Sequence, residues 1–267
     1  MIVVKIGGSQ GVNLDAVCLD AAGLIQQGQK IILVHGGSAE TNEISEQLGH
    51  PPRFVTTATG FTSRYTDRTT LEIFAMVTSG KINTLLVERM QRFGVNALGL
   101  SGIDGRLMVA QRKDAIRIIE NGRKLLLRDD YTGKIETVNR ALLDLLIGAG
   151  FTPVIAPLAL STQGDALNVD ADRAAAVVAG AVNAEELIIL TNVPGLMRNF
   201  PDESTLISHL PKNGLEQALS FAEGRMKKKV LGASEALELG VPKVIFSDGR
   251  TEHPLLDALA GKGTIIS

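Results

Sequence analysis

Six short runs of apolar, largely β-branched residues recur along the chain: "IVVKI", "KIILVH", "VNALGL", "FTPVIAP", "ELIILTN" and "KVIFS". Between them lie stretches with helical periodicity, which predict helices at 14–27, 39–48, 67–93 (broken near Gly80), 137–149, 171–182, 214–221 and 225–239. A strand that is apolar at every position is buried on both faces. Such strands alternating with helices predict an α/β protein whose parallel sheet is covered on both sides. One segment breaks the rhythm. Residues 106–136 alternate apolar with basic residues around Asn121-Gly122, which predicts an antiparallel hairpin appended to the main sheet. The stretch "PLALSTQGDAL" is loop-like and separates two α/β halves, 1–160 and 161–267, within a single domain of 267 residues.

Composition excludes several classes. The net charge is −2, there is no Trp, and no basic stripe is interleaved with aromatics, so neither nucleic acid nor an anionic membrane is an expected partner. No apolar run is long enough to span a bilayer and no signal-like segment precedes the first strand, which makes the cytoplasm the expected location. Cys18 is the one cysteine, so no disulfide forms within the chain, and its helical, apolar setting predicts a small buried residue. His50, His209 and His253 lack metal-ligand spacing, so no protein-held metal is expected.

Glycine pairs follow two of the strands: Gly7-Gly8 after the first and Gly36-Gly37 after the second. In an open parallel sheet, ligands bind beyond the carboxyl ends of the strands, and glycines there let backbone N–H groups approach anionic oxygens. Lys5 lies inside the first strand, where a buried ammonium costs several kcal/mol unless it meets a partner. It either snorkels to the strand end or meets the anion there. Lys227-Lys228-Lys229 sit near a helix start, where cations are mildly unfavourable and an anion would compensate. In "ALNVDADRAA", Asp170 is placed to cap a helix, while Asn168 and Asp172 project toward the same crevice. Arg64 suits bidentate capture of a carboxylate and is equally acceptable as a surface residue. Two lysines, backbone donors, an organising acid and an arginine, without a nucleophile–histidine pair, fit phosphoryl transfer. A carboxylate acceptor is ionised at neutral pH and needs no general base.

The motifs "VVKIGGS", "ILVHGGSAETN", "TDRTTLEI", "LNVDADRAA", "ILTNVPGL", "GRMKKKV" and "GTIIS" resemble the amino acid kinase superfamily over essentially the whole chain, in its N-acetylglutamate kinase branch. "HGGSAETNEISEQLGHPPRF", "LSGIDGRLMVAQRK" and "RDDYTGKIETVN" are similar to the carrier-dependent aminoadipate kinases of lysine biosynthesis. The resemblance implies a three-layer αβα sandwich around a mostly parallel sheet of about eight strands. It also implies ATP with Mg²⁺ carried on its phosphates, the acidic carrier protein LysW bearing 2-aminoadipate as partner, and a homodimer. By the same resemblance Lys5 and Lys229 stabilise the transferring group and Asp172 orients them. Gly8, Gly36 and Gly37 donate backbone N–H groups, and Arg64 and Asn168 bind the acyl substrate. Asn192, Val193, Gly195, Leu196, Met197 and Met226, with Gly8 and Lys229, hold ATP. The N-terminal lobe (1–160) takes the acyl substrate and the carrier; the C-terminal lobe (161–267) takes ATP. Two departures stand out: "GFTSRYTD" is longer than the "GLRVTD" of N-acetylglutamate kinases, and "NVPG" lacks the acid of "DVPG".

Seven Lys or Arg face four acids within residues 112–134, which reads as a solvated edge or as a dock for an acidic carrier. Three alternatives remain open at this level. The chain could be an N-acetylglutamate kinase of arginine biosynthesis, a dual kinase for LysW-bound aminoadipate and glutamate, or a non-catalytic nucleotide- or amino-acid-binding regulator on the same fold.

Overall fold

The computed structural model describes residues 1–8, 10–57, 62–112, 115–120, 123–222 and 224–267. The chain begins with β1 (Ile2–Ile6), α1 (Leu14–Gln26), β2 (Ile31–His35), α2 (Ser38–Gln47), β3 (Phe54–Thr57) and β4 (Thr62–Arg64). Then come α3 (Arg68–Ala75), a π-helical stretch (Met76–Asn83), α4 (Thr84–Arg92), β5 (Ala97–Ser101) and β6 (Met108–Arg112). The middle holds β7 (Ile116–Glu120), β8 (Arg123–Leu127), β9 (Gly133–Val138), α5 (Arg140–Gly148), β10 (Thr152–Ala156), β11 (Leu158–Ser161) and β12 (Ala166–Asn168). The last part is α6 (Ala171–Ala181), β13 (Glu186–Thr191), β14 (His209–Leu210), α7 (Leu215–Phe221), α8 (Gly224–Glu238), β15 (Lys243–Asp248), α9 (Pro254–Leu259) and β16 (Thr264–Ile266).

All six apolar runs become strands of one sheet, ordered β14-β16-β15-β13-β1-β2-β10-β5. Every pairing in it is parallel except β15–β16, so the mostly parallel eight-stranded sheet is observed. Side chains alternate along a strand, and the two faces of β1 show the result. Val3 joins a core with Ala175 and Val178 of α6 and Val230 and Ala233 of α8, while Ile2, Val4 and Ile6 join Val17, Leu86 and Leu255 from α1, α4 and α9. Each such fully buried Val or Ile contributes about 1.5–3 kcal/mol relative to exposure, and the layers are α, β and α. Lys5 shares the face of Val3 and therefore points toward α6 and α8.

The break in the 67–93 helix is real and takes the form of the π-helical stretch containing Gly80. The 106–136 segment differs from expectation. Its tip joins β3 through β7 in the sheet β4-β3-β7-β8, and its base joins β11 through β6 in the sheet β12-β11-β6-β9, so it belongs to two small four-stranded sheets and not to the main one. Its turn at Asn121-Gly122 lies outside the described residues. "PLALSTQGDAL" is not a loop: β11 and β12 form an antiparallel pair, with Leu158 opposite Asn168. The main sheet pairs β1 from the first half of the chain with β13 from the second, so it runs through both halves without interruption. Cys18 is fully buried in α1, and burial pushes its thiol up to about 12. Among the described residues no helix is long and apolar enough to cross a membrane.

Candidate active site

Three charged side chains meet beneath the carboxyl end of β1. Lys5 Nζ lies 2.7 Å from Asp172 Oδ1, and Lys229 Nζ lies 3.2 Å from both carboxylate oxygens. Each position has a local cause. Lys5 is directed by strand alternation; Asp172 is held in the first turn of α6 because Asp170 caps that helix, accepting from Asp172 N and Arg173 N. Lys229 comes in on α8, which packs tightly on α6: a Cβ at Gly232 would sit 3.3 Å from the backbone of Asp172. Next to Asp172, Arg173 makes a bidentate bond to Glu235 of α8, at 2.7 and 2.8 Å, and ties the two helices together.

The three groups are almost inaccessible, with side-chain exposures of 4%, 10% and 12%. Two ammonium groups against one carboxylate leave a buried net charge of +1. Burial alone would raise the Asp172 carboxyl, but Lys229 and Lys5 outweigh it and hold it well below the usual range. Burial lowers Lys229 to about 8, despite the pull of Asp172, and Lys5 adds to the lowering. A buried excess of positive charge favours an anion beside it.

The glycine turns stand over it. A Cβ on Gly8 would lie 2.5 Å from Gly37 N and 2.8 Å from Gly36 C, so the two turns touch backbone to backbone. One expectation needs correction here. Gly36 N–H donates to Ile6 O at 3.0 Å, inside the β1–β2 ladder, and is not available to a ligand. Among the described residues neither Gly8 N–H nor Gly37 N–H has an acceptor, so these two are the donors that remain. Gly8→Ala is expected to force the turns apart, costing about 1–3 kcal/mol of stability. It should lower kcat about 10²-fold, the scale of an ångström-sized misplacement. Thermal unfolding and steady-state turnover measured on the same sample check both numbers.

Below the turns opens a cavity of about 540 Å³ lined by Lys5, Gly8, Gly36, Gly37, Arg64, Asn168, Asp172 and Lys229, with Lys227 and Lys228 at one side. Arg64 lies on β4, 9% exposed, and its Nη2 donates to Ser38 O at the start of α2. Its guanidinium also sits 5.3 Å from the Phe54 ring centroid. Asn168, at the end of β12, donates from Nδ2 to Thr66 Oγ1 at 3.0 Å. The cavity thus gathers the lysines, the acid, the glycines, Arg64 and Asn168.

The nucleotide segment is placed differently. Asn192 and Val193 follow β13, the strand beside β1, but Leu196 and Met197 are buried at 1% and 4%. Leu196 N–H bonds Thr264 Oγ1, Gly195 is pressed against Thr264, and Met226 packs partly buried on the core. None of the six residues lines the cavity. The side chains of Leu196 and Met197 serve packing, and the Leu196 backbone is engaged as well, its N–H by Thr264 and its carbonyl by Ile207 N–H.

Sequence reasoning missed the support behind Asn168. Asp130 is 2% exposed; its carboxylate accepts from Thr66 N at 2.9 Å and from Thr132 N and Oγ1. Thr66 in turn meets Asn168, so the buried acid ties the Arg64 segment to the hairpin base. Arg112, counted among the hairpin's docking charges, is turned inward: it donates to Asp130 O and stacks 3.7 Å from the Tyr131 ring centroid. The signal was the Asp-x-Thr spacing of "DYT", which forms a turn closed by the Asp130 side chain.

The sequence pattern of the Amino acid kinase family matches residues 1–247. The chain is 58% identical over 267 residues to a protein of Deinococcus radiodurans named "[LysW]-aminoadipate kinase", covering 100% of this chain and 91% of that one. It is 53% identical over 268 residues to a protein of the same name from Thermus thermophilus, covering 100% of both. Among solved structures, N-acetylglutamate synthase from Neisseria gonorrhoeae superposes with a TM-score of 0.81 at 26% identity; the match covers all of this chain and 59% of the synthase. Carried by the lysine–aspartate–lysine cluster under two glycine turns, and matched along nearly its whole length, the chain belongs to the amino acid kinase family.

Proposed function

We propose that this protein transfers the γ-phosphoryl group of ATP to the side-chain carboxylate of 2-aminoadipate held by the carrier protein LysW, giving an acyl phosphate in lysine biosynthesis. The observation that carries the reading is the buried Lys5–Asp172–Lys229 cluster, whose net charge of +1 opens onto a cavity also lined by Arg64 and Asn168. The names of the relatives above half identity supply the substrate.

In this reading Lys5 and Lys229 approach the transferring group from β1 and α8, and Asp172 keeps their ammonium heads apart and aimed. Gly8 and Gly37 N–H groups take the oxygens that gain charge in flight. Arg64 and Asn168 hold the acyl substrate, with Asn168 oriented by Thr66 and Asp130. No base is assigned, because the acceptor is already a carboxylate. Residues 1–160 form the acyl lobe and 161–267 the ATP lobe. The segment from Asn192 to Met197 meets the nucleotide, with Leu196 packed behind it, and Met226 lies in the first turn of α8. Among the described residues no group of three or more His, Cys, Asp or Glu could hold a metal ion. By the family resemblance, Mg²⁺ would arrive on the phosphates of ATP.

The carrier docks on the small sheets. Arg117, Arg128 and Lys134 are exposed there, beside Ile119, Leu125 and Leu126 at 44%, 42% and 51% exposure. Basic residues around an apolar strip suit an acidic partner and would make docking salt-sensitive. The enzyme works in the cytoplasm as a homodimer, as the family resemblance implies. A coupled ATP-turnover assay should show activity with LysW-aminoadipate and little with free N-acetylglutamate. Efficient turnover of the latter would move the protein to arginine biosynthesis. Comparable turnover of LysW-glutamate would make it a dual enzyme, since one methylene is worth only about 1–3 kcal/mol of discrimination.

A further inference from the structure

Behind the second glycine turn lies a buried imidazole that the transfer chemistry does not use. His35 ends β2 and is 1% exposed. Its Nδ1 is 3.1 Å from Gly36 O, and its Nε2 is 3.0 Å from Asn83 Nδ2. A chain of forced choices fixes every proton here. Asn83 also points Nδ2 at Val154 O, 2.9 Å away on β10. A carbonyl can only accept, so the amide nitrogen of Asn83, not its oxygen, faces that side. The same nitrogen gives its second hydrogen to His35 Nε2, which must then be the unprotonated ring atom. The ring proton therefore resides on Nδ1 and is donated to Gly36 O. Burial holds the imidazole neutral, lowering it to about 4; the Gly36 bond opposes this and the Lys5 charge assists it. Asn83 Oδ1 rests against β5, where a Cβ on Gly99 would come within 2.1 Å of it.

Asn83 closes the π-helical stretch, and two other residues of that stretch brace the same turn. A Cβ on Gly37 would meet Ile82 Cδ1 at 2.7 Å and Thr78 Cγ2 at 2.8 Å. The wider π turns put Thr78, Ile82 and Asn83 together behind the glycines; such bulges often occur beside functional sites. The consequence follows from peptide planarity. In a trans peptide the carbonyl and the following N–H point in opposite directions. With Gly36 O held toward the imidazole, Gly37 N–H is turned the other way. His35 lines a smaller cavity of about 250 Å³ behind the turn, whereas Gly37 also lines the large one with Lys5 and Asp172.

We propose that His35 is a positioning residue: through its Nδ1–H bond to the Gly36 carbonyl, backed by Asn83, it aims Gly37 N–H at the group being transferred. The inference rests on the proposed acyl-phosphate chemistry for the meaning of that donor, but its geometry can be tested apart from turnover. Long-range ¹H–¹⁵N correlation spectra of the full chain should show His35 as the neutral Nδ1–H form at pH 7. An Nε2–H tautomer or an imidazolium would overturn the proposal whatever the enzyme's substrate. Kinetics with LysW-aminoadipate then read the consequence. His35→Asn keeps an N–H at the Nδ1 position and should hold kcat within about threefold of wild type. His35→Leu fills the space without a donor and should lower kcat about 10–100-fold, somewhat less than deleting such a donor outright, with KM changed less than threefold. A filler role would instead leave kcat per folded molecule unchanged in both variants, or impair both equally; either result sinks the proposal. Should His35→Leu fail to fold, Gly99→Ala displaces Asn83 with His35 intact. A lower kcat together with tautomer mixing would then support the assignment, and wild-type values of both would overturn it. If the wild-type protein turns over none of the acyl substrates, the reading of function fails while the spectra still decide the tautomer.

Discussion

Replacing Lys229 by alanine is expected to lower kcat about 10³-fold or more, the scale seen when a single cation is withdrawn from a phosphoryl-transfer site. Binding of ATP and of the acyl substrate should stay measurable. The reason lies in the charge balance of the buried cluster. In the wild type two ammonium groups share one carboxylate, with the excess charge buried at the proposed site of transfer. Removing Lys229 leaves Lys5 and Asp172 as a one-to-one pair at 2.7 Å, which the fold can carry without a ligand. The variant should therefore melt close to the wild type, or slightly above it, while losing the positive charge that faces the anion. Titration calorimetry with ATP, thermal unfolding and turnover on one preparation separate these effects. Turnover near the wild-type rate would remove Lys229 from the chemistry. Lys229→Arg is not a conservative control, because a guanidinium spreads its charge over a planar fork and cannot reproduce the compact point charge of an ammonium.

The part of this site that could be read in advance was the part set by local rules. Lys5 sits in an otherwise apolar strand, so strand alternation and the neighbouring glycines already restricted what its head could meet. Asp170 and Asp172 stand two apart at a helix start, where only one can cap, and the structure assigns them as that rule requires. The six core strands were legible because each is a short, largely apolar run, with its polar residues mostly at the ends and Lys5 the exception inside β1. What escaped was made by distant pairing. β3, β4, β11 and β12 are short and carry small polar residues, and they become strands only because they find one another or the 106–136 hairpin. Asp130 looked like one acid in a charged segment; only the tertiary fold brings Thr66 onto it. Gly36 looked equivalent to Gly37 until the β1–β2 ladder claimed its N–H. Nor could a helical period reveal that Asn83 reaches His35, since that contact depends on the π-helical widening before it.

Asp172→Asn should be more damaging than its size suggests, and its signature should be a shift along the pH axis. The neutral amide leaves two ammonium groups buried without a counter-charge, and breaking a buried pair in this way costs about 3–5 kcal/mol. The protein can relieve part of that cost by releasing a proton. Lys229 is the group to release it, because burial has already brought it down to about 8 and the pull of Asp172 is what opposes that fall. In the wild type, then, kcat/KM should decline as pH rises through about 8, the range in which free enzyme loses the Lys229 charge. In Asp172→Asn the decline should begin at lower pH, so that at pH 7.5 turnover falls about 10³-fold and recovers in part toward pH 6. Stability follows the same linkage, and for both groups it rises with pH across the window between the folded and unfolded values. The Asp172 carboxyl is held below its unfolded value, so the stability it contributes is present above the ordinary carboxylate range and is lost as pH falls below that range toward the depressed folded value. Lys229 is lowered, so between about 8 and its unfolded value near 10.5 the unfolded chain binds more protons and stability rises with pH. The wild type should thus lose stability toward acid more steeply than Asp172→Asn, and the gap between them should narrow as pH drops. Denaturant melts from pH 3 to 9, set beside the two kcat/KM profiles, test this account. A variant whose alkaline limb stays at about 8 would mean that Asp172 does not hold the Lys229 charge in place.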